Sequence, residues 1–215
     1  MTGVGRLPTV DTMNYKLAFA VGFHPWEDAE SCPAFFGRLT ELIADVEREV
    51  AAPLGRALDI GTGSGIWAMV LAKRGWEVTG IDIVPKAIRR AQARAAADGV
   101  ELHLVHGDVT RLRDAGVTHG HRLVLDTGTF HDFSPDQRLA MGREIDAIAT
   151  PDANIILTVW PERRRPLIRG VDQDGIEAAF PGWEVVDAGP TGYHPPRVLD
   201  AVLRPNEHFY RLRRR

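Results

Sequence analysis

The sequence predicts an α/β fold: a seven-stranded, mostly parallel sheet with helices on both faces. Three observations carry this reading. From Gly55 onward, short apolar runs alternate with helical patterns, the mark of parallel strands joined by crossover helices. A glycine-rich turn, Gly61-Thr62-Gly63-Ser64-Gly65, links the first run to the first crossover helix. The last two runs have no full helix between them, so an antiparallel last strand is expected at that side of the sheet.

The chain has 215 residues, 44% of them hydrophobic, enough for one sizeable core and one domain overall. Residues 1–54 read as a tail and an N-terminal helical lid, and residues 55–215 as the core. The segment before Tyr15 has the composition of a loose terminus. Tyr15 to Phe23 is apolar and reads as a short helix. In 33–52, Phe35, Leu39, Leu42, Ile43 and Val46 recur at helical spacing.

The first strand is expected at 56–60. Its helix carries Lys73 and Arg74 in the last turn and Gly75 as a C-cap. A strand over 76–83 precedes a helix that opens on Pro85 and closes on Gly99. Strands are expected over 100–108 and 122–130. Ser134 is placed to cap a helix with Leu139, Ile145 and Ile148 on its apolar side. The remaining elements are a strand over 154–160, a short helix over 172–180, and strands over 183–189 and 207–213.

The formal net charge is −3, and no basic face of the kind that marks nucleic-acid binding stands out, so no nucleic-acid partner is expected. The basic runs at Arg163–Arg165 and at the C-terminus read as solvated segments. Cys32 is the single cysteine, which excludes an intrachain disulfide and suits a reducing compartment. The N-terminus has no secretory pattern, and no apolar run approaches the roughly 20 residues of a membrane span. The expectation is a cytoplasmic protein with no membrane partner. His103, His106, His119 and His121 are scattered and no C-x-x-C is present, so no metal site is expected.

In a doubly wound sheet, ligands bind beyond the carboxyl ends of the strands. There the chain places Asp59, then Gly61, Gly63 and Gly65. Such glycines allow a tight turn and close approach of the backbone to a ligand, and the next helix offers its N-terminus. Ile66 stands where a dinucleotide fingerprint would have its last glycine, and no Gly-Lys-Ser/Thr follows. A turn that merely connects strand and helix is the alternative. Asp82, Asp108 and Asp126 close the next three strands. Four successive strand-end carboxylates are hard to explain by packing, because carboxylates are rarely buried without partners. Asp82 is placed to accept from ribose hydroxyls.

With these motifs, "LDIGTGSG", "GIDI" and "HGDV", the sequence resembles the class I S-adenosylmethionine-dependent methyltransferases from about Gly55 to the C-terminus. The resemblance implies a Rossmann-like sheet with S-adenosyl-L-methionine as cofactor and S-adenosyl-L-homocysteine as product. It implies cofactor contacts from Trp26, Asp59, Gly61, Thr62, Gly63, Gly65, Asp82, Ile83, Gly107, Asp108, Val109 and Asp126. "HPWE", "LDTGTFHDFSPDQR" and "GVDQDGIEAAFPGWEVV" further resemble bacterial small-molecule enzymes related to the thiopurine and thiol S-methyltransferases. His24 stands where that group has the first proline of its Pro-Pro-Trp segment. Pro151-Asp152-Ala153 stands where it has Pro-Gly-Gly.

The expected reaction is methylation of a small molecule, with a thiol favoured. O- or N-methylation of an aromatic or natural-product metabolite, and a catalytically inactive cofactor-binding protein, are the alternatives. The segment after the fourth strand reads "DTGT" rather than the N/D-P-P-Y/F of nucleic-acid enzymes. The expected acceptor pocket comprises Tyr15, Gly128, Phe130, His131 and Trp160. His131 is the candidate base, since an imidazole accepts a proton at neutral pH; shaping the pocket is its other reading. Trp26 and Tyr15 are expected either over the sulfonium, whose charge a π-face attracts, or in the core. Arg163, Arg164, Arg165 and Arg169 lie where a substrate entrance or a solvated loop would be.

Overall fold

A computed structural model describes residues 32–161, 169–193 and 207–215. The expected Tyr15–Phe23 helix, Tyr15, Trp26 and Arg163–Arg165 lie outside the described residues. In chain order the elements are α1 (Pro33–Glu49), β1 (Arg56–Ile60), α2 (Ile66–Lys73), β2 (Glu77–Asp82), α3 (Pro85–Asp98), β3 (His103–His106), β4 (His121–Asp126), α4 (Pro135–Ile148), β5 (Ala149–Val159), α5 (Gln173–Ala179), β6 (Trp183–Pro190) and β7 (His208–Arg214). Single 3-10 turns lie at Val109–Arg111 and Phe130–Asp132.

The strands form one sheet in the order β3-β2-β1-β4-β5-β7-β6. β1 to β5 pair in parallel, whereas β7 is antiparallel to both β5 and β6. The last strand thus inserts between its predecessors. Its first residues lie at the rim where β5 ends: Val159 pairs with His208.

Side-chain alternation separates two cores. Leu58 and Ile60 of β1, Val124 of β4 and Ile155, Leu157 and Val159 of β5 pack with Met141, Ile145 and Ile148 of α4 and Ile176 of α5. Ala57, Leu123, Leu125 and Ile156, on the opposite face, pack with α1 and α2. The period of two follows from the pleat, and burial of each large apolar side chain stabilises by about 1.5–3 kcal/mol. In α1, the five apolar residues at helical spacing are all buried. Phe36 stacks on Trp67 with ring centroids 5.2 Å apart. Arg211 of β7 donates to Asn154 at 3.0 Å and pairs with Glu49 at the end of α1.

Helix ends follow the local chemistry. Ser134 and Gln137 form a capping box at α4, satisfying two N–H groups at the open first turn. Pro85 opens α3, and Gly99 closes it at φ 65°. Leu139, expected on the apolar side of α4, is 39% exposed. The buried stripe is Met141, Ile145 and Ile148, and at 100° per residue Leu139 lies about 200° from Met141. β3 is shorter than expected and β4 stops at Asp126, because the chain beyond each turns to make the site. β5 begins directly after α4, earlier than expected.

His121, at the far end of β4, is 1% exposed. Burial, with Arg56 nearby, lowers its pKa from 6.5 to about 4. Between those values the unfolded chain binds the proton and the folded chain does not, so this contribution is lost as pH falls. Relative to His121→Leu, the wild type is expected to lose about 3 kcal/mol of stability between pH 7 and pH 4. Urea unfolding of both proteins at each pH checks this, and a difference that stays constant with pH would refute it.

Candidate functional site

The carboxyl ends of β1, β2, β3, β4 and β5 and the start of β7 share one rim of the sheet. After β1 the chain must leave the sheet within a few residues and enter α2. It does so through Gly61 (φ 62°), Gly63 (φ 56°) and Gly65 (φ 81°), all in the left-handed region that glycine enters without penalty. Each also faces a different surrounding. A Cβ on Gly65 would lie 3.0 Å from Ala91 of α3, and one on Gly61 would lie 2.1 Å from the Thr129 hydroxyl. Among the described residues, on Gly63 it would meet nothing closer than 3.9 Å. Of the described residues, then, none crowds the loop at Gly63.

Carboxylates fix the loops. Asp59 is 1% exposed and accepts from the Thr62 hydroxyl at 2.6 Å. Burial raises its pKa to about 7. Asp82 accepts from the Gly63 N–H at 2.9 Å and from the Val84 N–H at 2.8 Å, tying the glycine loop to the end of β2. Burial raises its pKa also. Beside it Ile83 is a 36% exposed apolar side chain. Asp108 is exposed and accepts from the Thr110 N–H and hydroxyl. The Gly107 N–H donates to the Asp82 carbonyl at 3.0 Å, bringing the β3 loop against β2.

Asp126, expected at the cofactor, is fully buried. Its carboxylate accepts from the N–H groups of Gly128, Thr129 and Phe130 at 2.7–3.0 Å. Burial raises its pKa to about 7 despite those bonds. Its work in this structure is to fold the turn after β4. Val109 and Phe130, expected at the cofactor and at the acceptor, both bury their side chains in the α4 core. Phe130 packs on Phe180 with centroids 5.5 Å apart.

His131 follows and is 5% exposed. Its Nε2 lies 3.7 Å from Asp132, and its Nδ1 has no hydrogen-bond partner among the described residues. Burial lowers its pKa, so the ring is neutral at pH 7. It faces Trp160 at 6.5 Å between centroids, and Gly128 lies against its Cε1, where a Cβ would sit at 3.6 Å. Gly128, His131 and Trp160 are thus brought together at the rim. Tyr15 and Trp26 lie outside the described residues.

Three contributors have no counterpart in the sequence reading. Arg138 of α4 donates to the carbonyls of Phe130, His131 and Gly170, clamping the turn after β4 to the segment before α5. The Thr158 hydroxyl donates to the Asp126 carbonyl at 3.0 Å. Glu207, just before β7, accepts from the Trp160 indole N–H at 3.0 Å and the Thr191 hydroxyl at 3.1 Å. Only the placement of an acid beside a strand terminus could have flagged Glu207.

These residues fit a nucleoside-bearing cofactor. None of the described residues crowds the loop at Gly63, an acceptor stands at the end of β2, and an exposed aliphatic side chain adjoins it. Residues 57–152 match the family described as "Methyltransferase domain". Thiocyanate methyltransferase 1 of Arabidopsis thaliana is 29% identical over 164 residues, spanning 74% of this chain and 71% of that one. Curated proteins of Mycobacterium tuberculosis are 42% identical over 72 residues, a match that spans 27% of this chain and 26% of theirs. This chain thus matches about a quarter of the length of those relatives. The fold is shared with magnesium protoporphyrin IX methyltransferase of Synechocystis PCC 6803, solved with bound SAM, at a TM-score of 0.72, 18% identity and coverage of 98% and 100%. The matched stretch holds the glycine turn and the ends of β1 to β4, and the chain shares the strand-and-helix fold of that solved methyltransferase.

Proposed function

We propose that the chain transfers a methyl group from S-adenosyl-L-methionine to a small molecule. The observation that carries this reading is the Gly63–Asp82 bond, which sets the glycine turn beside a carboxylate and the exposed Ile83. When bound, the cofactor supplies an activated methyl group on a sulfonium. Asp82 uses one lone pair on each oxygen for main-chain donors; the remaining two accept ribose hydroxyls. Ile83 lies against the adenine, and Asp108 with its neighbouring N–H groups borders the adenine edge. Gly61 and Gly63 let the main chain approach the amino-acid end. Asp59 and Asp126 shape the loops: Asp59 accepts from the Thr62 hydroxyl, and Asp126 takes the three N–H groups after β4.

The acceptor lies against Gly128, His131 and Trp160. Holding the reacting atoms in line supplies up to about 7–11 kcal/mol of the barrier reduction. A thiol, with a pKa near ~8.5, ionises at modest cost and needs no strong base. The sequence resemblance favours sulfur as acceptor. An oxygen acceptor would instead need a base to take its proton, and His131 is the candidate at this site.

Calorimetric titration tests the cofactor assignment. S-adenosylhomocysteine is expected to bind and NAD is not. Asp82→Ala is expected to weaken S-adenosylhomocysteine by about tenfold or more, the value of one charge-assisted hydrogen bond. Failure of the wild type to bind it would remove the assignment. Asp126→Ala is expected to act on stability, lowering the free energy of unfolding by about 3 kcal/mol as three N–H groups lose their acceptor. Urea denaturation measures that loss, and a change below 1 kcal/mol, roughly one exposed bond's worth, would contradict the turn-forming role. His131→Gln separates the two acceptor chemistries. With a thiol, kcat/KM should fall less than about tenfold; loss of a general base costs about a hundredfold or more.

A further inference from the structure

The rim extends past the proposed acceptor contacts to the start of β7. Because β7 runs antiparallel between β5 and β6, Glu207 lies beside Trp160, and its main-chain carbonyl accepts from the Thr191 N–H at 2.9 Å. One carboxylate oxygen accepts from the Trp160 indole and the other from the Thr191 hydroxyl. Both donors are neutral. Among the described residues, no lysine, arginine or histidine forms an ion pair with Glu207. Thr191 is 2% exposed and is itself fixed, its hydroxyl oxygen accepting from the Tyr193 N–H at 3.1 Å. Trp160 and Glu207 are each partly exposed. Trp160 also faces His131, with ring centroids 6.5 Å apart; His131 is buried and its Nδ1 has no partner among the described residues.

A carboxylate removed from water is stable when a cation or several donors compensate it. Here two neutral donors hold it in place and leave a lone pair free on each oxygen. The Trp160 indole adjoins it, and an indole face attracts organic cations. We propose that Glu207 is a specificity-determining residue of the acceptor site, and that it selects acceptors bearing an ammonium or similar cationic N–H group at the end remote from the methylated atom. The inference rests on the proposed acceptor site at Gly128, His131 and Trp160. It leaves open which atom is methylated: an amino-thiol and an amino-phenol both satisfy it. Burial raises the pKa of Glu207 to about 7.

The test uses two probes of one shape, tyramine and 4-ethylphenol, which differ by the ammonium group. Each is titrated at pH 8 into the protein saturated with S-adenosylhomocysteine. Wild type is expected to bind tyramine about tenfold or more tightly than 4-ethylphenol, the scale of one charged contact. Glu207→Gln should bring the two within about twofold while S-adenosylhomocysteine affinity stays unchanged, because an amide keeps the hydrogen-bonding shape without the charge. The indole N–H resonance of Trp160, assigned with Trp160→Phe, should shift with tyramine in the wild type. That signal decides the matter even where Glu207→Gln does not fold. Equal affinity for the two probes, no binding of either, a preference that survives in Glu207→Gln, or a Trp160 resonance indifferent to tyramine would each overturn the proposal. If S-adenosylhomocysteine itself did not bind, the cofactor assignment would fail. The same probe pair titrated into the free protein would then still decide the role of Glu207.

Discussion

A buried carboxylate that accepts main-chain N–H groups is the interaction on which the working rim depends. Where a strand ends and the chain must leave the sheet, its N–H groups lose their ladder partners, and buried N–H groups without acceptors are costly. Asp126 solves this after β4 by taking three of them. Asp82 solves it after β2 and, through the Gly63 N–H, ties that strand end to the loop after β1. The cost is visible in the same groups: burial raises the pKa of both. The protein accepts poorly solvated carboxylates so that short loops can be held rigid without covering the rim with side chains.

The two halves of the rim then differ in character. On the β1–β3 side, small residues and carboxylates leave the main chain accessible. On the β4–β7 side, imidazole, indole and a second kind of carboxylate replace them. The division follows from topology. Parallel strands bring only their carboxyl ends to this rim, whereas the antiparallel β7 brings its beginning. α1 supports both halves from beneath, through its apolar stripe and through the Arg211–Glu49 pair that joins it to β7.

Much of this was legible in the sequence, for identifiable reasons. Strand alternation, the Ser134 cap, Pro85 and Gly99 are local signals, and the structure carries each of them. Leu139 was misplaced because a helix face is set by the whole stripe, and that stripe centres on Met141 and Ile145. Asp126 closes a strand as Asp82 does, so position alone gives the two the same reading. What separates them is three main-chain donors supplied by a turn whose shape no spacing rule encodes. Arg138 was invisible for a related reason: its partners are carbonyls, which every residue has. Glu207 carries no such signal, because in a parallel sheet only strand ends reach this rim, while an antiparallel strand places its first residues there.

His131 and Glu207 flank Trp160, and burial moves their titration in opposite directions, the imidazole down and the carboxyl up. Both shifts favour the uncharged forms, so this part of the rim is poorly solvated. On the proposed reading of the acceptor site, such a place keeps both groups uncharged before the acceptor arrives. His131 is buried, and its Nδ1 has no hydrogen-bond partner among the described residues. Glu207 gains its charge most readily when a cation arrives beside it, because the ion pair offsets the desolvation that opposed ionisation. An acceptor that brings its own positive group therefore improves its own binding site, and one that lacks it meets a carboxyl with less reason to ionise. Discrimination of this kind needs no moving part. It follows from placing one carboxylate, with two neutral donors and no cation among the described residues, where β7 enters the sheet.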